Sequence, residues 1–387
     1  NTVGDNNTAL GNDALASLNP SSNADTHNTA VGSQAGAAVT TGIQNTFVGG
    51  LAGDAATTSS FNTAVGYNAL SACTTGANNT VVGRGAGDAI TTATNSVAVG
   101  DMALGGHTTG TANTAVGSYC LAGANMTGGY NTAMGQNCGA NVTTGINNSF
   151  FGWAAGDAIT AGNANTAMGW MALSAVAGDT NVAMGTQAAQ QCTGATNTVV
   201  GGVAGYELSS GGNNAFFGHQ AGRGTSPGGT TTTGSNRICL GDNQIGTANI
   251  QVDWTVASDA RDKTDFTALD LGLDFVNALS PLTYKWDKRT QYCDANDPTV
   301  DLNNITTDGT HKEDWLDIGF KAQDVEALEI AAGYNKDNKT NLVSSHAEDG
   351  KSMGLQYSKF VPILVKAMQE QTAVIAALTA RIETLEG

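Results

Sequence analysis

Fourteen glycines divide the first two-thirds of this 387-residue chain into cells of nearly equal length. They are Gly11, Gly32, Gly49, Gly66, Gly83, Gly100, Gly117, Gly135, Gly152, Gly169, Gly185, Gly201, Gly218 and Gly241, spaced 16 to 18 residues apart except for 21 and 23 at the two ends. A unit this short cannot bury an apolar face alone, so the period demands a coil that stacks on copies of itself. Asn62-Thr63-Ala64-Val65-Gly66 shows the cell clearly, and it returns at Asn28–Gly32, Asn113–Gly117 and Asn165–Gly169. The residues before the glycine are small or β-prone and apolar on both faces, as in Asn148-Ser149-Phe150-Phe151-Gly152. A small residue follows three positions later (Ala35, Ala69, Ala103, Ala172), an apolar one usually seven later, and then a Thr/Gly turn such as Thr74-Thr75-Gly76. The expected fold is a β-roll or β-solenoid with two short strands per coil. At the inter-strand spacing its coils make a rod of about 60–70 Å.

A strand that is apolar on both faces must be covered on both. One face packs within its own chain; the other needs a partner, and three chains around an axis would supply it. Asparagine recurs at one corner (Asn62, Asn79, Asn113, Asn131, Asn148, Asn165, Asn181, Asn197), where a stacked amide ladder would satisfy turn amides. The cell Asn95-Ser96-Val97-Ala98-Val99-Gly100 resembles the head modules of trimeric autotransporter adhesins, although those coils are commonly shorter. The resemblance implies a trimeric β-roll for the repeat region.

Residues 1–257 hold 11 Asp/Glu and 3 Lys/Arg, and residues 258–387 hold 22 and 13. Neither part is basic, which argues against phosphate-neutralising nucleic-acid binding. No secretory signal and no bilayer-length apolar run is read from the chain, so membrane insertion is not expected. Asn1 stands where an initiator Met would, so this end says nothing of targeting. Cys73, Cys120, Cys138 and Cys192 occupy slots that other cells fill with Ala, Val or Ile, and read as small buried hydrophobes. His107 and His219 lack metal-ligand spacing, and no metal or cofactor is expected. Asp54, Asp88 and Asp157 read as turn residues. Trp153 and Trp170 directly follow their glycines in consecutive coils, with Tyr67 further along the same row. Such a row either stiffens the rod or contacts a glycan.

The repeat ends after Gly241. Ile250–Val256 alternates like a strand, Ala268–Leu279 reads as a helix stopped by Pro281, and Leu282–Trp286 reads as a strand. Ile318–Glu326 passes from strand into helix between two polar stretches, 289–312 and 333–351. From Tyr357 a helix places Val361, Leu364, Met368, Gln371, Ile375, Leu378, Ile382 and Leu385 at alternating three- and four-residue steps, a coiled-coil seam. The expected organisation is a shaft over 1–250, a connector strand over 251–257, an α+β domain over 258–356 and a coiled coil over 357–387.

Ser258-Asp259-x-Arg261-x-Lys263, Leu279-x-Pro281-x-x-Tyr284-x-Trp286, Gly319-Phe320-x-Ala322-Gln323-Asp324-Val325 and Tyr357 before a coiled coil resemble, in order, the endosialidase-type intramolecular chaperone or S74 peptidase domain. That family closes bacteriophage tail fibres, tailspikes and neck appendages. The resemblance implies a domain that trimerises, winds three chains into one fibre and releases itself by autoproteolysis. It makes Ser258 the nucleophile, Lys263 the general base, Arg261 a supporting cation and Ser258–Asp259 the bond cut. In a straight strand residues five apart point to opposite faces, so the segment must bend or the pair must meet across subunits. The implied protein is a homotrimeric tail fibre of a virion, assembled in the host cytoplasm. It would join an upstream tail or baseplate protein and meet a host surface glycan or protein, with one single-turnover cut as its sole activity. A bacterial adhesin would need a membrane anchor, and a glycan depolymerase paired acids on the rod.

Overall fold

The computed structural model describes residues 6–19, 25–226, 228–251, 254–293 and 301–387. The chain forms two compact units, Asn1–Asp242 and Asn243–Gly387. Among the described residues the first unit holds one parallel sheet of fourteen three-residue strands in sequential order, β1 (Thr8–Leu10) to β14 (Ile238–Leu240). Register follows the repeat: Thr29 lies beside Thr46, Ala30 beside Phe47 and Val31 beside Val48. This is a β-solenoid of stacked coils.

The second strand expected in each coil is absent. After the glycine the chain runs through overlapping turns in which alternate residues have positive φ, such as Asn68 (60°) and Leu70 (56°), or Met102 (55°) and Leu104 (54°). Left-handed backbone costs a leucine about 1–2 kcal/mol. Neighbouring coils offset this: Leu70 N–H donates to Ala86 O and Leu104 N–H to Cys120 O, both at 2.9 Å, and both side chains are fully buried. Gln34 N–H turns to Asn12 O in the coil before and Gly36 N–H to Ala52 O in the coil after. Alternating handedness thus serves both neighbours, and hydropathy cannot display it.

Inside, two positions trade volume in several coils, while small pairs such as Ala30 and Gly36 are filled by side chains of adjacent coils. Phe47, Phe150 and Phe216 sit mid-strand over Gly53, Gly156 and Gly222, where a Cβ would crowd the ring. Coils with alanine mid-strand (Ala64, Ala98, Ala167) carry Leu70, Leu104 and Leu173 at the glycine's place, all buried.

The corner asparagines form the expected ladder. Asn45 donates its backbone N–H (2.9 Å) and its Nδ2 (3.1 Å) to Asn28 Oδ1. The same Nδ2 reaches Ser59 O at 2.9 Å, and Asn62 N–H donates to Asn45 Oδ1 at 3.1 Å. Equivalent rungs stand at Asn79, Asn131, Asn148, Asn181, Asn197 and Asn214. Ser96 is too short to continue it. There the fully buried His107 substitutes, its Nε2 accepting from Asn113 Nδ2 at 3.0 Å while Nδ1 has no partner. Burial, slightly opposed by a hydrogen bond to the Gly110 backbone, brings its pKa down to about 4.

The outer face of the sheet is an apolar stripe left partly open: Val82, Val99, Met134, Met168 and Leu240 are between 37% and 54% exposed, while the middle residue of nearly every strand is buried.

Two outcomes follow from this packing. Phe150→Ala should destabilise the rod by about 3–5 kcal/mol, and adding Gly156→Leu should recover part of the loss because it recreates the alanine–leucine pairing of the next coil; chemical unfolding of both variants measures the coupling. His107 titrates near 6.5 unfolded and near 4 folded, so the unfolded chain binds more protons between those values. Its contribution to stability is therefore lost as pH falls from about 6.5 toward 4. Unfolding at pH 7 and 4.5 should show a larger acid loss for the native chain than for Ser96→Asn/His107→Ile.

Candidate functional site

The second unit is small and mixed. It holds α1 (Leu273–Ala278), β15 (Leu282–Tyr284), β16 (Asp317–Gly319), α2 (Ala322–Ala331), β17 (Ser344–His346), β18 (Met353–Leu355) and α3 (Phe360–Glu386). Helix α1 is half as long as the stretch Ala268–Leu279 suggests. The strand expected over Ile250–Val256 is not formed at its described residues, and Val252 and Asp253 lie outside them. Leu271, Phe275, Val325, Val343, Phe360 and Ile363 form the core.

The scattered motif residues converge. Strands β15 and β16 pair antiparallel with Tyr284 opposite Asp317 and Leu282 opposite Gly319. Trp286 Nε1 (3.1 Å) and the Tyr284 hydroxyl (3.4 Å) both donate to Asp317 Oδ2. Hydrogen bonds from the Ile318 N–H and the Trp286 ring hold the Asp317 carboxyl below the ordinary carboxylate range. Phe320 N–H donates to the Tyr357 hydroxyl (3.4 Å), and Phe320 stacks on Phe360 with centroids 5.3 Å apart. A Cβ at Gly319 would crowd the Tyr357 hydroxyl, which would have to shift.

Sequence reasoning missed Glu329. It is fully buried on α2, and its carboxylate accepts the N–H groups of Leu342 (2.7 Å), Val343 (2.6 Å) and Ser344 (3.0 Å), fastening helix to hairpin. Burial pushes this carboxyl up, but hydrogen bonds from Ser344, Val343 and Leu342 outweigh it and the pKa lies below the usual glutamate value. No periodicity marks such a residue. The hairpin itself lay in a stretch too polar to read as strand.

Helix α3 is two-sided in its first half. Phe360, Ile363 and Ala367 are buried, Val361, Leu364 and Met368 are exposed, and from Gln371 onward every residue is exposed. Glu370 Oε2 accepts Leu273 N–H at 2.7 Å, tying α3 to α1. With its lead-in from Tyr357 this helix is long and apolar enough to cross a bilayer by length and composition, with mean hydropathy 1.2 in its most apolar stretch. That amends the expectation of no such run. The seam spacing and the interspersed Gln, Glu and Arg residues suit a coiled coil better.

Ser258 and Lys263 flank a single 3-10 turn, Ala260–Asp262. Asp259 caps it, accepting Arg261 N–H at 2.9 Å, and Lys263 closes it with its N–H on Ala260 O. The turn brings Ser258 and Lys263 together in one chain: Lys263 Nζ donates to Ser258 Oγ at 2.6 Å and to Ser258 O at 3.2 Å. Arg261 points to Asp259 instead, 2.6 Å from its carboxylate, and this bond with the Arg261 N–H holds that carboxyl below its usual range. Residues 254–268 are all exposed.

On the first unit Trp153 and Trp170 stack, with centroids 5.9 Å apart and planes 15° from parallel. Tyr67, 60% exposed, stands five coils away in the same row. Asp54, Asp88 and Asp157 occupy non-adjacent coils; burial raises the pKa of each, and each has a buried Oδ1 without a partner. Among the described residues no group of three or more His, Cys, Asp or Glu is placed to hold a metal. Among the described residues no disulfide is formed, and the four cysteines read as core residues are buried.

A fibre-like β-solenoid followed by a small mixed domain with a projecting helix is the class these features define. Residues 258–334 match the family described as chaperone of endosialidase, so the match opens on Ser258 itself and the C-terminal unit carries that chaperone domain. No curated protein and no solved structure matches the chain.

Replacing Glu329 with Ala strands three buried amides and should cost on the order of 3 kcal/mol. Because the folded pKa is depressed, the native residue's contribution should persist above the unfolded glutamate value near 4.3 and fade as pH falls below it. Acid titration of native and Glu329→Ala chains, followed by tryptophan fluorescence, measures this.

Proposed function

We propose that the chain is a homotrimeric bacteriophage tail fibre whose C-terminal domain drives trimerisation and then cuts itself free beside Ser258. The carrying observation is the 2.6 Å contact between Lys263 Nζ and Ser258 Oγ at the first residues of the chaperone match. Lysine acts as a base only where burial or nearby positive charge lowers its pKa. Here the turn is exposed and Arg261 is neutralised by Asp259. Neighbouring subunits would have to cover the turn, which makes cleavage wait for assembly. Two apolar surfaces support self-association: the outer stripe of the sheet and the seam of α3, where Met368, Ile375, Leu378 and Ile382 are 54–66% exposed. In this reading the coiled coil assembles first and sets the register of the three coils, lowering the loop-closure barrier to winding. The assembled fibre sits in the virion, attached upstream to tail or baseplate protein, and meets the host surface.

Expression of the native chain beside Ser258→Ala and Lys263→Met tests this. Residues 259–387 are a third of the 39.1 kDa chain, so a fragment of about 13 kDa should appear with the native chain only. Ser258→Ala should still give a trimer by light scattering. A native chain that stays intact, or a monomeric Ser258→Ala product, would remove the proposal.

A further inference from the structure

We propose that Trp153 and Trp170 form a binding shelf for a neutral saccharide on the side of the rod; this rests on reading the chain as an attachment fibre. The position directly after the anchoring glycine makes no demand for an aromatic residue, since Gly50 and Gly202 occupy it in other coils. Two indoles held 43% and 45% exposed therefore keep apolar surface in water that the fold does not need. Their near-parallel stacking uses one face of each ring. Gln136 and Thr186 hold the same position in the coils on either side and are exposed. Asn137 and Gln187, one residue further on, add half-buried amides beside them. An apolar ring face bordered by amide and hydroxyl groups is complementary to a pyranose, which offers C–H bonds on its face and hydroxyls at its rim.

Charge selects the class. No lysine or arginine occurs between Arg84 and Arg223, and the coils around the indoles carry Asp157 and Asp179. An acidic sugar would find no cation there, so the ligand is a neutral polysaccharide. A row two rings long that is closed at both ends by polar residues is also too narrow for a protein interface.

The assembled full-length fibre is the material for the test, with dextran, galactan and mannan as neutral probes and polysialic acid as the acidic one. Tryptophan emission and retardation in polysaccharide-containing gels are read for the native fibre, Trp153→Ala/Trp170→Ala and Trp170→Phe. At least one neutral probe should shift the emission and retard the native fibre, the double variant should bind at least tenfold more weakly at unchanged melting temperature, and Trp170→Phe should retain part of the binding. Polysialic acid should do neither. Failure of every neutral probe, indoles closed to acrylamide quenching in the assembled fibre, or undiminished binding by the double variant would each overturn the shelf. A double variant that still adsorbs to bacteria as the native fibre does would remove the shelf while leaving the attachment reading in place; a native chain that neither trimerises nor adsorbs to any cell would remove that reading itself.

Discussion

One carboxamide per coil holds the corner on which the rod depends. A stack of three-residue strands has almost no sheet to stabilise it, and the chain must turn back within a few residues at each end. The turn leaves backbone groups facing inward, where an unpaired donor or acceptor costs about 1–3 kcal/mol. Asparagine carries an acceptor for the next coil's N–H and donors for the preceding coil's asparagine and for its own turn, as Asn45 does toward Asn62, Asn28 and Ser59. Because each rung is completed by the next coil, no coil is satisfied alone. The period is thus a consequence of hydrogen bonding as much as of burial. The one interruption, Ser96, is repaired by His107, whose imidazole supplies the missing acceptor from a core slot.

Once the corners are fixed, the interior must be filled, either within a coil or by side chains of its neighbours, as Phe47 and Leu15 fill the space at Gly36. The exchange of Phe/Gly for Ala/Leu meets that constraint. It also explains why leucine is accepted at positive φ: in the Ala64, Ala98 and Ala167 coils the strand leaves a space that the leucine fills. A void of that size costs more than the left-handed backbone.

The solenoid, its coil number and its asparagine corner were legible because each repeats fourteen-fold or nearly so, and repetition separates constraint from accident. The opposite wall of the coil was not. Turn residues of alternating hand look like small β-formers in hydropathy, so a strand was read where Asn68 and Leu70 have positive φ. In the second unit, strands and helices with apolar patterns were found, while the β17–β18 hairpin hid in Ser344-Ser345-His346. The nearness of Ser258 to Lys263 could not come from strand periodicity, which sets them on opposite faces. It depends on a 3-10 turn that Asp259 caps, a local hydrogen bond with no apolar signature. Glu329 and Asp317 have no signature for the opposite reason: each is defined by donors distant in sequence.

The second unit is arranged so that structure and exposure separate along one helix. The first turns of α3 are anchored by Phe360, Ile363 and Ala367 and by the bond from Leu273 N–H to Glu370, whereas every residue from Gln371 on is exposed. A helix of this kind can hold a folded body and still present a seam to other chains, because inward and outward stripes occupy different faces. An isolated seam gains nothing by exposing Ile375, Leu378 and Ile382 to water, an exposure that burial against another apolar surface would relieve. The Ser258 turn is in the same condition. Lys263 Nζ and Ser258 Oγ touch there, and both residues are exposed. On the proposed reading both features are completed by association, and cleavage is thereby tied to the assembled state.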